Sequence, residues 1–229
     1  MNIFNFKEAI EWIPYILRGL EYTLIIALFA AIFGVIIGIY INLTNKTNIL
    51  KSLNNIYIDI FRGTPIILQL SIIYYVLPLL VNQLVFYVFG YSLGFNISQL
   101  SAAILTFSLN SGAYISEVIR SGINSVDIGE IEAAESLGIS KFKIYKDIVL
   151  PIALKNSLPA LNNELITLIK ESSIVSIIGL ADLMRRQQIV SSQTYMYFEP
   201  LLIVGVIYYI LTKTLSILGK KLEKSWSND

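Results

Sequence analysis

The chain has 229 residues, 55% hydrophobic and only 14% charged, with a mean hydropathy of +0.67. Soluble domains carry about a quarter charged residues, so an ordinary soluble fold is excluded, and a net charge of +1 gives no whole-chain case for nucleic acid. The absence of cysteine and histidine excludes disulfides, thiol nucleophiles, zinc sites built on those residues and imidazole acid–base chemistry.

Residues 1–19 do not read as a cleavable signal peptide, because Lys7, Glu8 and Glu11 interrupt what would be its apolar core. Ile3, Phe6, Ile10, Ile13 and Leu17 fall at helical spacing, which predicts an amphipathic N-terminal segment lying along a membrane surface with Trp12 at the interface. Residues 23–41 then form an uncharged run of 19, enough to cross a ~30 Å hydrocarbon core as a helix. A polar connection over 42–55 follows. From Gly63 to Ser116 there are 54 residues without a charge, too many for one helix. Asn82-Gln83 and the 90–96 stretch divide them into spans at about 57–80 and 97–118.

A polar interval at about 121–157 comes next, then spans at about 158–180 and 200–219, and a basic tail over 220–229. The expectation is an all-α polytopic membrane protein with about five transmembrane helices in a single domain over 20–219. Twelve basic residues, from Lys46 and Lys51 to Lys224, fall on one side, against Lys7, Arg18, Arg185 and Arg186 on the other. The excess of positive charge marks the cytoplasmic side, so the N-terminus is expected outside and the C-terminus inside.

Inside the polar interval, Asp127 is placed to cap a helix, with Glu130 in the capping-box position. That helix is predicted over 128–137 and stops at Gly138, which tolerates the left-handed conformation of a helix end. Ser140 caps a second short helix, expected to end before Pro151 because the residue preceding proline avoids the α region. Proline punctuation elsewhere predicts a bend at Gly63-Thr64-Pro65 and helix ends at Pro78 and Pro159. The tyrosine pairs, Tyr74-Tyr75 and Tyr208-Tyr209, read as interfacial packing rather than a substrate cage.

Glu132-Ala133-Ala134, then Gly138, then Ile148, Leu150 and Pro151 resemble the EAA loop of the membrane-spanning subunits of bacterial ABC importers. Phe61-Arg62-Gly63-Thr64-Pro65 with Gln69, the 113–123 stretch, Asn163-Glu164, and Lys170-Glu171-Ser172-Ser173 resemble signatures of the polar amino acid branch; Glu171 stands where that branch has Asp. The resemblance implies a type I ABC importer fold in a bacterial cytoplasmic (inner) membrane, with no catalytic site and no cofactor of its own. It also implies that ATP is bound by separate ATPase subunits docking on Glu132, Ala133, Ala134, Gly138, Ile148, Leu150 and Pro151. Further implied partners are an extracytoplasmic amino acid-binding protein and a second permease, either another copy or a paralogue.

Gln69, Asn163, Glu164 and Thr167 are candidates for lining the substrate path, since their hydrogen-bonding groups suit a zwitterion. Arg62, Glu117, Arg120, Lys170 and Glu171 read instead as structural ion pairs. As sequence neighbours Lys170 and Glu171 face apart on a helix, and Glu117, Glu164 and Arg62 are their candidate partners. An importer of another small polar solute is the alternative. A passive channel is weaker because no selectivity ring is found. A membrane-embedded enzyme is weaker for want of a nucleophile elbow or a paired acidic metal motif.

Overall fold

The computed structural model describes residues 5–45 and 47–227. Ile3 and Lys46, used above, lie outside the described residues, as do positions 228–229. Among the described residues every element is helical. Helices α1 (Phe6–Glu11) and α2 (Ile13–Leu17) lead into α3 (Leu20–Thr44), α4 (Asn48–Gly63), α5 (Ile66–Ser71), α6 (Leu77–Phe89) and α7 (Gln99–Asn124). After α8 (Ile128–Ser136) and α9 (Lys141–Ile144) come α10 (Leu150–Glu171), α11 (Leu183–Thr194) and α12 (Phe198–Ser227).

The α3–α7 pair is the spine of the bundle. Lipid gives helices no hydrophobic reason to associate, so close backbone approach and interhelical hydrogen bonds must hold them. Gly38 allows the first, since a Cβ there would stand 2.8 Å from Ile115 Cγ2. Asn42 provides the second, its Nδ2 donating to Ser116 O at 2.9 Å. Around this pair Ile26, Ala30, Leu70, Phe107, Leu168 and Val175 form the main core.

Among the described residues four helical segments are long and apolar enough to cross a membrane: Ile13–Thr44, Ile66–Phe89, Gln99–Asn124 and Phe198–Trp226. The span expected at 158–180 falls on α10 and the 3-10 turn Ser172–Ile178 that follows it. Leu168 and Ile169 of α10 are buried in the core, while Asn162, Asn163, Glu164, Lys170 and Glu171 make it less apolar than the other four. The second span lies further along than expected, at Ile66–Phe89 rather than 57–80. Thr64 and Pro65 are both extended (ψ 146 and 135), so α4 ends there and stands apart as an amphipathic helix. Asn82 does not end the next helix either. Its side chain exchanges two bonds with the backbone of Phe95, at 2.9 and 2.7 Å, and ties the following loop back onto α6.

Two proline expectations are overturned by one device. A π turn at Ile72–Val76 precedes Leu77-Pro78, and another at Tyr145–Val149 precedes Leu150-Pro151. In each the leucine N–H reaches back five residues, to Ile72 O and to Tyr145 O. A proline ring clashes with the carbonyl four residues back, here that of Tyr74 or Asp147. Widening the turn by one residue moves that carbonyl aside, so the helix runs through the proline instead of stopping. Pro159 also lies inside its helix, α10, where packing on α7, α12 and α3 outweighs the local preference.

The N-terminal segment is docked on the bundle. The Asn5 N–H donates to Glu199 Oε1 at 2.6 Å, the Phe6 ring meets Phe198 edge-on, and Ile16 is buried with Leu183, Val190 and Val204 of α11 and α12.

Candidate coupling surface and polar face

The polar interval folds as a capped two-helix unit. Asp127 Oδ1 accepts the Gly129 N–H at 2.8 Å at the start of α8; among the described residues no bond returns from the Glu130 carboxylate to complete the capping box. At the other end Gly138 is left-handed (φ +72). Its N–H bonds to Glu135 O at 2.9 Å and that of Ile139 to Ala134 O at 3.2 Å. These are the paired bonds of a Schellman cap. The chain then turns at Ser140 into α9, the π turn and α10, one helical course from Lys141 to Glu171.

A small apolar core fixes this unit to the bundle. Val126, Ala134, Ile144 and Val149 are buried in it, with Ile123, Ile131, Ile148 and Ile152 packed around them. The seven motif positions therefore divide. Ala134 and Ile148 face this core, whereas Glu132, Ala133 and Gly138 are exposed. Leu150 lines an apolar groove with Ile39 of α3 and Ile119 of α7, and Pro151 lines a cleft with Ile152, Lys155 and Trp226 of α12. Three large apolar side chains stand out from the polar surface: Leu137 81% exposed, Phe142 76% and Ile128 68%. Sequence reasoning passed over them, although apolar residues at solvent positions of a polar helix pair were the available signal. Such projecting apolar groups are suited to entering a partner's groove.

The path candidates fall into two places. Asn163, Glu164 and Thr167 share α10, where Asn163 is exposed and the other two are half-buried. Glu164 faces the Ser111 hydroxyl of α7, and among the described residues that oxygen has no partner at ordinary hydrogen-bonding distance. Gln69 is elsewhere and fully engaged. Its Nε2 donates to Phe61 O at 2.8 Å, Thr64 O at 3.0 Å and Thr64 Oγ1 at 2.9 Å. Its Oε1 accepts from Asn110 Nδ2 at 3.0 Å. These are the carbonyls set free where α4 breaks.

Beside the polar face of α10 is a cavity of about 360 Å³ lined by Arg62, Tyr114, Glu117, Ser121 and Asn156 among others. Glu117 Oε2 is shared by Arg120 Nη2 at 2.5 Å and Arg62 Nη1 at 3.4 Å, and the Arg62 guanidinium lies 5.3 Å over the Tyr114 ring. The expected ion pairing of Arg62, Glu117 and Arg120 is thus present and joins α4 to α7. Glu117 and Arg62 are not partners of Lys170 and Glu171, which form no ion pair among the described residues.

Residues 30–228 match the family described as "Binding-protein-dependent transport system inner membrane component". A putative glutamine transport system permease of Rickettsia conorii is 48% identical over 224 residues, 96% of this chain and 97% of that protein. The arginine transport system permease protein ArtQ of Bacillus subtilis is 47% identical over 232 residues, covering 100% of both. Among solved structures, an amino acid ABC transporter crystallised with histidines superposes with a TM-score of 0.87 at 38% identity, over 97% of this chain and 99% of that one. The methionine ABC transporter MetNI superposes with a TM-score of 0.69 at 21% identity, over 94% and 98%, and shares the fold.

Proposed function

Because the chain belongs to the family of binding-protein-dependent transport system inner membrane components, we propose that it is the membrane-spanning subunit of an ATP-driven importer of a polar amino acid. The observation that carries this reading is mechanical. The helical course that starts in the capped unit with its exposed Leu137 and Phe142 continues through Pro151 to Asn163, Glu164 and Thr167. A push on the unit moves the polar face of α10 as one body. Relatives named for glutamine and arginine, and a solved transporter holding histidine, support an amino acid as the cargo.

In this reading α10 is the fifth crossing helix, the N-terminus lies outside and the C-terminus inside. Separate ATPase subunits bind ATP and close on the α8–α9 unit. An extracytoplasmic binding protein delivers substrate at the opposite end, and a second permease, identical or paralogous, completes the path in a bacterial inner membrane. A lone face carrying Asn163 and Lys170 is costly against lipid, which favours a water-filled path between two such subunits and alternating access through it. Glu164, Asn163 and Thr167 contact the substrate; Gln69 braces the α4–α5 break.

Uptake of labelled amino acids into proteoliposomes containing this chain, its ATPase and its binding protein tests the reading. ATP-dependent accumulation is expected. Accumulation indifferent to ATP would overturn the importer, and intact ATPase coupling with no amino acid taken up would overturn the cargo.

A further inference from the structure

Asp182 lies at the end of the bundle opposite the α8–α9 unit, outside the four apolar segments, between the 3-10 turn and α11. None of its surface is exposed. Oδ1 accepts the Arg185 N–H at 2.8 Å and caps α11. Oδ2 is buried without a hydrogen-bond partner among the described residues, and so is the hydroxyl oxygen of Tyr208 from α12. The Thr23 hydroxyl of α3 and the Ser172 hydroxyl of the 3-10 turn adjoin Tyr208 at the same point.

The proton inventory of this cluster does not balance. Thr23 Oγ1 already donates to Gly19 O at 3.3 Å and Ser172 Oγ to Ile169 O at 2.7 Å, so each presents only lone pairs inward. Asp182 Oδ2 also presents lone pairs, which leaves the Tyr208 O–H as the single donor for three acceptors. The α3 entry packs directly on this segment, since a Cβ on Gly19 would collide with the Asp182 backbone. Cations do not fill the deficit. Arg185 turns to Gln188 Oε1 at 3.3 Å, and Arg186 donates to Ala181 O at 3.1 Å with its guanidinium 5.0 Å over the Tyr15 ring of α2. Among the described residues, α12 presents Tyr208 to the carboxyl as its titratable neighbour, while Thr23 of α3 and Ser172 of the 3-10 turn, neither of them charged, adjoin the Tyr208 hydroxyl.

We propose that Asp182 is a proton-binding site whose protonated Oδ2 supplies the missing donor and fastens α3, the 3-10 turn, α11 and α12 together. The proton exchanges with bulk water and no other bond changes. Burial pushes the Asp182 carboxyl up to about 6, against the downward pull of the N–H groups at the start of α11. The folded chain therefore holds the proton more tightly than the unfolded chain. Its stabilisation is complete below the unfolded value of about 4 and is lost as pH rises through about 6.

The test is thermal unfolding of the full chain in detergent between about pH 4 and about pH 7.5, for wild type, Asp182→Asn and Tyr208→Phe. Asp182→Asn keeps the capping oxygen and adds permanent donors. It is expected to lose the proton linkage of about one that wild type shows over this window, with a midpoint at the higher pH above that of wild type. Tyr208→Phe removes the side-chain hydroxyl beside the carboxylate, leaving the backbone N–H groups of α11 on Oδ1, and is expected to move the transition to higher pH. An infrared carboxyl C=O band that titrates in wild type and is missing in Asp182→Asn gives a readout that packing alone would not move. A wild-type slope retained in Asp182→Asn, or no titrating band assignable to Asp182, overturns the proposal. If Asp182→Asn does not fold, an unshifted transition in Tyr208→Phe overturns it.

Discussion

Gly138 illustrates how a single residue can govern a surface. Its φ of +72 is required by the cap that turns α8 into α9, yet a Cβ there would meet nothing within 4 Å. Substitution is therefore a conformational matter and not a steric one. Gly138→Ala is expected to cost about 1–2 kcal/mol, the left-handed penalty of an L-residue, whereas Gly138→Asn costs less because asparagine tolerates that region. Hydrogen exchange at the Ile139 amide, which is bonded to Ala134 O, measures it. Exchange about 5–30-fold faster in the alanine variant is expected, with the overall midpoint unchanged and uptake per ATP reduced. Equal exchange in wild type and Gly138→Ala would refute the assignment of the cap.

At the scale of elements, the break between α4 and α5 is braced by side chains from both sides. Extended backbone at Thr64 and Pro65 strands helix-end carbonyls, and Gln69 and Asn110 turn inward to satisfy them. Gln69→Leu leaves the Thr64 carbonyl without its side-chain donor and removes one of the two acceptors of Asn110 Nδ2, the other being Phe61 O. An unsatisfied buried polar group costs about 1–3 kcal/mol, so the thermal midpoint is expected to fall. Uptake affinity for the amino acid is expected to hold. A changed affinity at unchanged stability would return Gln69 to the substrate path. Two π turns perform a similar service for Pro78 and Pro151, keeping helices continuous where the sequence alone argues for a stop.

On the scale of the whole molecule, the α8–α9 unit and the Asp182 cluster occupy opposite ends of the bundle, joined by α10. The chain contains no cysteine, so single introduced cysteines report topology without background. Leu137→Cys is expected to react with an impermeant thiol reagent only from the cytoplasmic side. Tyr195→Cys, at a position 94% exposed, is expected to react only from outside. Labelling of both from one side would overturn the crossing of α10 and with it the odd number of spans.

Much of this organisation is a local property and was legible in the chain. The apolar runs, the Asp127 cap and the Gly138 stop each depend on residues within a few turns of one another, so periodicity and punctuation sufficed to identify them; the spacing from Glu132 to Pro151 was legible only through its resemblance to a family motif. The N-terminal segment was legible as an amphipathic helix, but its partners Glu199 and Phe198 lie at the far end of the sequence. Tertiary structure alone decided which polar groups are occupied and which are left over. Gln69 and Glu164 look alike in sequence, and only the carbonyls around one and the Ser111 hydroxyl beside the other distinguish a brace from a candidate contact. Asp182 and Tyr208 acquire their roles from a donor deficit shared by four segments. Hydrogen-bond satisfaction in a buried site is a sum over neighbours remote in sequence, and no local pattern encodes that sum.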